Sequence, residues 1–177
     1  MKLGVMCSGN GTNFENIIRT CNKDEVVLMI ANKQKCGAFE RARKFGIPCA
    51  YSTNEGWMIN EFKWLGVDLV VLAGYMRIIS PQFVEAFPNR IINIHPSLLP
   101  KYKGLHAIEQ ALDSGDDVTG VTVHYVNNEL DGGEIILQRK VPILPDDDIV
   151  SLTKSIQRVE YAILPAAIEN VKHRLQK

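Results

Sequence analysis

The sequence predicts an α/β protein built on an open, twisted and mostly parallel sheet with helices on both faces. Short apolar runs of strand length alternate with longer mixed segments, as in parallel strands joined by crossover helices. Residues 67–73 are almost all apolar, as expected for a strand buried on both faces. Residues 118–126 and 134–141 are strand-like and joined by a polar loop, which predicts antiparallel strands before a long C-terminal helix.

Strand and helix signals follow one another in a regular order. The predicted strands cover residues 2–7, 25–31, 47–51, 67–73, 90–94, 118–126 and 134–141. The predicted helices cover residues 12–21, 37–45, 55–65, 81–87 and 106–113, followed by the C-terminal helix. In that last helix, apolar residues recur at helical spacing from Ile149 onward.

Several boundaries have specific chemical signals. Gly66 predicts the end of the third helix, and Ser80 followed by Pro81 predicts the start of the fourth. Three aspartates at 146–148 place negative charge where the C-terminal helix should begin, which the helix dipole favours. Pro165 lies well inside this helix and should kink or break it.

Composition indicates one soluble globular domain over residues 1–177, with parts of about 1–90 and 91–177. Twenty basic side chains balance twenty acidic ones, so no net charge favours nucleic acid or an anionic membrane. No apolar run approaches the roughly 20 residues of a membrane span, and no signal peptide is expected. The four cysteines and four histidines lack metal-ligand spacing. We therefore expect a cytoplasmic protein with reduced thiols and no metal.

Polar and glycine-rich segments lie at the predicted carboxyl ends of three strands, where ligands bind in parallel α/β sheets. They are residues 8–13, 74–77 and 93–97. In the first, Gly11, Thr12 and Asn13 lead into a helix, whose free N–H groups attract a phosphate. Phe14 occupies the position of the third glycine of a dinucleotide fingerprint, which excludes that motif. A plain glycine turn capped by Thr12 or Asn13 remains the alternative.

Asn93 and His95 are two residues apart at the end of a predicted buried strand, so their side chains should point to the same side. An amide and an imidazole could together stabilise an oxyanion on a carbonyl carbon. Asp131 precedes two glycines and is either a turn residue or a carboxylate that orients His95. His106 and His124 are interpreted as structural, since most histidines have no catalytic role.

Residues 93–106, NIHPSLLPKYKGLH, closely resemble the signature of phosphoribosylglycinamide formyltransferases, a branch of the folate-dependent formyltransferase family with a Rossmann-like fold. Residues 8–13, 73–80 and 123–133 are similar to three further blocks of that family in the same order. The resemblance covers nearly the whole chain. One departure is that no arginine occurs between Arg43 and Arg77, where family members carry one associated with ligand binding.

The resemblance implies three sets of site residues. The catalytic residues would be Asn93, His95 and Asp131. The residues that bind glycinamide ribonucleotide would be Gly11, Thr12, Asn13, Gln157 and Glu160. The residues that bind folate would be Met76, Arg77, Ile78, Ile79, Asn93, Asn127, Asn128, Glu129, Leu130 and Asp131. The first half of the chain would thus bind phosphate, and the second would bind folate and perform the chemistry.

The implied reaction is formyl transfer from 10-formyltetrahydrofolate, as cosubstrate, to the amine of glycinamide ribonucleotide in purine biosynthesis. It needs no metal and no covalent intermediate with the enzyme. Only small molecules are implied as substrates, and the protein would be a monomer or a homodimer. Two alternatives remain: a 10-formyltetrahydrofolate hydrolase and a non-catalytic folate- or nucleotide-binding relative.

Overall fold

The computed structural model describes residues 1–22 and 25–177. The strands in these residues are β1 (Leu3–Cys7), β2 (Val26–Ala31), β3 (Cys49–Tyr51), β4 (Leu69–Leu72), β5 (Ile91–His95), β6 (Val118–Tyr125) and β7 (Ile135–Pro142). The helices are α1 (Thr12–Thr20), α2 (Gly37–Phe45), α3 (Glu55–Leu65), α4 (Pro81–Ala86), α5 (Ala107–Ser114) and α6 (Ile149–Leu175). Each predicted strand and each of the first five predicted helices is present, with bounds that differ by two residues at most.

The described strands form one seven-stranded sheet in the order β3-β2-β1-β4-β5-β6-β7. The pairs from β3 to β5 are parallel, whereas β6 and β7 pair antiparallel over almost their full length. This order confirms the predicted fold class. Among the described residues, no helix combines the length and the hydropathy needed to cross a bilayer.

Two compact units divide the chain, Met1–Asn93 and Ile94–Lys177. In the first unit, strands β1 and β4 are buried on both faces, which explains their nearly continuous apolar sequences. Phe62 of α3 packs edge-on against Phe83 and Phe87, at centroid distances of 6.5 and 6.2 Å. A Cβ on Gly4 of β1 would lie 2.7 Å from the Phe62 ring. The absence of a side chain at Gly4 therefore lets α3 approach the sheet.

In the second unit, α6 packs on β6 and β7. The helix begins with a reciprocal capping box: the Asp148 carboxylate accepts from the Ser151 N–H at 2.8 Å, and the Ser151 hydroxyl accepts from the Asp148 N–H at 3.0 Å. The Ser151 N–H lowers the pKa of Asp148, which keeps the negative charge at the helix start. This confirms the prediction drawn from the three aspartates.

The prediction that Pro165 could break the C-terminal helix is wrong. Helix α6 continues for 27 residues with Pro165 inside it. Ile163 and Leu164 before the proline and Ala167 and Ile168 after it are all buried. Because this packing holds both sides of the proline, it outweighs the loss of one backbone hydrogen bond.

We expect Gly4→Ala to destabilise the protein by about 1–3 kcal/mol, since the added methyl group overpacks a ring that its aromatic neighbours hold in place. Urea unfolding would measure the change. Gly9→Ala is the matched control, because a Cβ at Gly9 has no atom within 4 Å. Equal stability of the two variants would contradict this account of how α3 packs.

Candidate active site

In the first unit, the turn after β1 leads directly into α1. Gly11 is the N-cap of α1 with a left-handed φ of 71°, and no side chain caps the helix. A Cβ on Gly11 would lie 2.8 Å from the Ala38 Cα, so only glycine fits against α2 here. Thr12 and Asn13 are the first residues of the helix rather than its cap. The predicted cap by either residue is therefore wrong, and the anion site at this helix start stays a prediction.

The charges beside this helix start are matched. The Glu15 carboxylate accepts hydrogen bonds from Arg19, at 2.6 and 2.8 Å, and from Arg41 of α2. These bonds, with that to Arg19 foremost, lower the pKa of Glu15. Arg41 also donates to the Asn10 carbonyl, at 2.5 Å. Two guanidinium groups thus compensate one carboxylate, and this carboxylate does not oppose an anion at Gly11.

Ser8 joins the turn after β1 to the segment after β4, both in the first unit. The side chain is buried; its hydroxyl donates to the Asn32 amide oxygen at 2.7 Å and accepts from the Met76 N–H at 2.8 Å. The Ser8 N–H donates to the Gly74 carbonyl at 3.0 Å. In the segment held this way, Met76 is 59% exposed and Ile78 is 77% exposed. This segment therefore presents apolar side chains at the surface of the unit.

The segment after β4 is exposed in its middle and buried at its end. The Arg77 side chain is exposed, like those of its neighbours Met76 and Ile78, whereas Ile79 is buried at 8% exposure. Of the four residues assigned to folate from the resemblance, Ile79 thus packs in the core and three are accessible.

Asn93 and His95 both lie on β5, where Asn93 is half-buried and His95 is 5% exposed. The His95 Nε2 atom lies 2.7 Å from the Tyr102 carbonyl oxygen. A carbonyl only accepts, so Nε2 is the donor of this bond. The strand thus fixes the place of the imidazole, and the loop after it fixes the tilt of the ring.

The loop after β5 is held by the buried Thr122 hydroxyl and by the Gln138 amide of the second unit. The Thr122 hydroxyl donates to the Ser97 carbonyl at 2.7 Å and accepts from the Leu99 N–H at 3.2 Å. Gln138 donates to the Leu99 carbonyl at 3.0 Å. Further along, the Tyr102 hydroxyl donates to Asp116 at 2.6 Å. These bonds hold the Tyr102 carbonyl where His95 meets it.

Asp131 is the centre of the second unit's polar cluster. Its side chain is 8% exposed, and its Oδ2 atom accepts from the Gly104 N–H at 2.7 Å. The same oxygen lies 3.6 Å from the His95 Nδ1 atom. Oδ1 lies 3.6 Å from the Nε2 atom of His124. The structure therefore brings Asp131 to His95, as the resemblance implied, and adds a second imidazole.

Opposing effects act on the Asp131 carboxyl. Burial raises its pKa, whereas His124, the Gly104 N–H and His95 lower it, and the net pKa is below the usual value. Asp131 is consequently an anion at neutral pH. It can therefore balance a positive charge on His95 when that ring is protonated.

A family model described as formyl transferase matches residues 1–168. The phosphoribosylglycinamide formyltransferase of Escherichia coli (strain K12) is 44% identical over 181 residues, covering 95% of this chain and 85% of that protein. The Haemophilus influenzae enzyme of the same name is 41% identical with the same coverage. The chain belongs to the formyl transferase family.

Solved structures of the family have the same fold. The phosphoribosylglycinamide formyltransferase of Bacillus halodurans superposes with a TM-score of 0.91 at 39% identity, covering 97% of this chain and 95% of that one. The Streptococcus pneumoniae TIGR4 enzyme also gives 0.91, at 33% identity, covering 96% and 98%.

The polar loop of this family member between β6 and β7 is closely packed at its base. A Cβ on Gly133 would lie 1.7 Å from the Tyr125 carbonyl oxygen, so glycine is obligatory there. Asp131 has a left-handed φ of 48°. Asn127 accepts from the Glu129 N–H at 2.9 Å, and Lys103 binds the Glu129 carboxylate at 3.1 Å. The two glycines after Asp131 therefore form a turn and also help to set the direction of the Asp131 side chain.

Of the remaining predicted site residues, some are half-buried and the others are exposed. Gln157 and Glu160 lie one turn apart on α6, and both are half-buried. Asn128 and Leu130 are exposed at the tip of the loop. His106 is exposed and precedes α5 with a φ of 60°, close to Glu109, which agrees with its structural interpretation.

His124 lies beside Asp131, a contact that the sequence did not predict. It was interpreted as structural because a histidine within a strand carries no signal of its own. The available signal was its position at the end of β6, seven residues before Asp131 across a glycine-closed loop. Among the described residues, no three His, Cys, Asp or Glu side chains are grouped as a metal site would require.

We expect Asp131→Asn to lower the free energy of unfolding near neutral pH and to flatten its dependence on acid pH. The pKa of Asp131 is lowered by folding, so its contribution is present above the unfolded-state pKa and is lost as pH falls through the folded-state pKa. Urea unfolding at a series of pH values would measure both effects. Asp113→Asn, at an exposed position of α5, is the matched control. An unchanged pH dependence in Asp131→Asn would overturn the assignment of this charge.

Proposed function

We propose that this protein transfers the formyl group of 10-formyltetrahydrofolate to the amine of glycinamide ribonucleotide, a step of purine biosynthesis. The observation that carries the proposal is the 44% identity over 95% of the chain to an enzyme of that name. The buried pairing of His95 with Asp131 supports it, because it supplies a charge-balanced imidazole for a developing oxyanion. A cytoplasmic enzyme acting as a monomer or a homodimer fits this role.

The chemistry is direct acyl transfer. The substrate amine attacks the formyl carbon, and the carbonyl oxygen becomes an oxyanion. His95 uses Nε2 to donate to Tyr102, while Nδ1 lies 3.6 Å from Asp131, beyond hydrogen-bond length. When the ring is protonated, the Nδ1–H can therefore donate to the oxyanion, together with the Asn93 amide. The ionised Asp131 stabilises that positive charge.

The intermediate collapses as the bond between the formyl carbon and N10 of the folate breaks. The proton lost by the attacking amine ends on N10, so atoms and charges balance. Asp131 is the nearby acceptor that can carry this proton in transit, directly or through one water molecule. The same carboxylate thus serves as counter-ion before the transfer and as proton carrier during it.

Substrate binding follows the matched blocks of the family. Gly11, Thr12 and Asn13 bind the phosphate of glycinamide ribonucleotide at the start of α1, where N–H groups and the helix dipole favour an anion. Gln157 and Glu160 bind its ribose and amine end. The exposed apolar side chains of Met76 and Ile78 contact the folate ring. The backbone amides of residues 77–79 and of the loop at 127–131 bind the pterin edge.

Two other activities are distinguished by the same assay. A 10-formyltetrahydrofolate hydrolase would use water as acceptor and would not need the phosphate site at Gly11. A non-catalytic relative would not need a buried, charge-balanced pair of His95 and Asp131. The purified protein is mixed with 10-formyltetrahydrofolate, with and without glycinamide ribonucleotide, and deformylation is followed by absorbance.

We expect deformylation only when glycinamide ribonucleotide is present. His95→Ala should lower kcat by about 10²- to 10³-fold with the fold intact, because an oxyanion donor is lost. Deformylation without the nucleotide would favour the hydrolase, and no reaction at all would favour the binding protein. Near-wild-type turnover of His95→Ala would overturn the assigned role of the imidazole. Circular dichroism of each variant controls for folding.

We expect Gly11→Ala to raise the KM for glycinamide ribonucleotide by about tenfold or more, with little change in the KM for the folate. The methyl group would meet Ala38 and displace the turn whose N–H groups bind phosphate. Steady-state kinetics with each substrate varied in turn would measure both constants. Gly115→Ala is the matched control, since it has a similar φ of 75° but follows α5 and has open space around it. An equal effect on both KM values in Gly11→Ala would contradict the phosphate assignment.

A further inference from the structure

A second imidazole contacts the carboxylate that the proposed chemistry uses. His124, at the end of β6, is 2% exposed, and its Nε2 atom lies 3.6 Å from Oδ1 of Asp131. The other oxygen, Oδ2, faces His95 at 3.6 Å. The two oxygens of one buried carboxylate therefore face two different imidazoles.

The ring nitrogens of His124 both face acceptors. Nδ1 lies 2.9 Å from the Tyr125 carbonyl oxygen, and Nε2 faces the Asp131 carboxylate. A carbonyl only accepts, so Nδ1 is the donor of the bond to Tyr125. This bond fixes the ring to the backbone and directs Nε2 toward Oδ1 of Asp131.

The backbone around His124 is rigid enough to transmit this contact. The Tyr125 carbonyl packs against Gly133 so closely that no side chain fits at that position, and the Tyr125 N–H donates to the Glu134 carbonyl at 2.9 Å. The end of β6 and the loop carrying Asp131 are thus locked together. These backbone contacts bring the end of β6 next to the loop that carries Asp131.

We propose that His124 is a positioning residue for formyl transfer: it holds the Asp131 carboxylate in the orientation that keeps Oδ2 opposite His95. The inference rests on the proposed function, because it assigns His124 a part in that same reaction. His124 acts through Asp131. The Gly104 N–H donates to Oδ2 at 2.7 Å from the loop after β5, and the His124 Nε2 atom faces Oδ1 at 3.6 Å from β6.

The balance of effects on Asp131 agrees with this role. Burial alone raises the pKa of the carboxyl, and His124 is foremost among the groups that lower it, ahead of the Gly104 N–H and His95. Those are the groups that act on Asp131 from β6, from the loop after β5 and from β5 itself. Lys103 in that loop is paired with Glu129. Without His124, the carboxyl would gain a proton more readily and lose one of its two fixed contacts.

Two substitutions at position 124 separate positioning from packing. His124→Phe fills the buried space but offers no N–H, whereas His124→Gln keeps an N–H that can reach Oδ1 of Asp131. We expect kcat of His124→Phe to fall by about tenfold or more, as is common within one hydrogen-bonded network. Both KM values should change by less than about threefold, because the contact is not with substrate. His124→Gln should recover most of the loss.

The pH dependence of kcat is a second measurement, and a loss of packing alone would not change it. In His124→Phe, the acid limb of kcat should shift to higher pH, since a group that lowers the pKa of Asp131 is gone. His124→Gln should keep the limb near its wild-type position. Thr119→Val is the matched control on β6, because Thr119 is 1% exposed and its hydroxyl has no hydrogen-bond partner among the described residues.

A wild-type kcat and acid limb in His124→Phe would overturn the inference, as would an equal loss in the Phe and Gln variants with no shift of the limb. Nitrogen-15 NMR of the His124 ring covers the case of a Phe variant that does not fold. The Nε2 signal, which reports the contact with Oδ1, should change in Asp131→Asn, whereas it should stay unchanged in Asp113→Asn; identical spectra of the wild type and Asp131→Asn would also overturn the inference. If the wild type shows no transfer to glycinamide ribonucleotide, the proposed function fails instead.

Discussion

The burial of the Asp131 carboxylate constrains the second unit more than any other single interaction. Moving an ion of this kind out of water costs several kcal/mol unless other groups replace the lost hydration. The Gly104 N–H, His95 and His124 provide the replacement, from the loop after β5, from β5 and from β6. Those segments must therefore be in place together, so the stability of the fold and the geometry of the cluster depend on the same contacts.

The backbone accepts uncommon conformations to satisfy this carboxylate. Tyr102, Gly104 and Asp131 all have positive φ, and Gly133 lies where any side chain would meet the Tyr125 carbonyl. Non-glycine residues in the left-handed region cost free energy and persist where the surroundings compensate for them. Two hydrogen bonds compensate here. The Tyr102 carbonyl accepts from His95, and the Asp131 carboxylate accepts from the Gly104 N–H in the loop after β5. Strain and polar contacts occur at the same residues because the contacts hold the strained turns.

The sequence predicted the parts of the fold that depend on neighbours in the chain. The apolar run of β4, the Ser80 cap and the aspartates at the start of α6 are encoded within a few residues, and each is found where expected. Pro165 was misjudged because its local effect is opposed by packing from distant residues. His124 was missed for the same reason: its contact with Asp131 exists only after the loop between β6 and β7 has closed. The link from Asp131 to His95 came from the family resemblance, since spacing alone left Asp131 as a turn residue.

In both units, charged side chains have partners close by. A chain whose total charge is balanced can therefore still bind an anionic substrate at a particular place. In the first unit, Arg19 and Arg41 pair with Glu15, so this acidic side chain in the first turn of α1 does not oppose an anion at Gly11. In the second unit, the Asp131 carboxylate lies between the imidazoles of His95 and His124 and accepts from the Gly104 N–H. Groups held in this way need little rearrangement as charge develops on a substrate, which is the main source of electrostatic catalysis. In both units, the charged groups are therefore held in place by contacts within the protein itself.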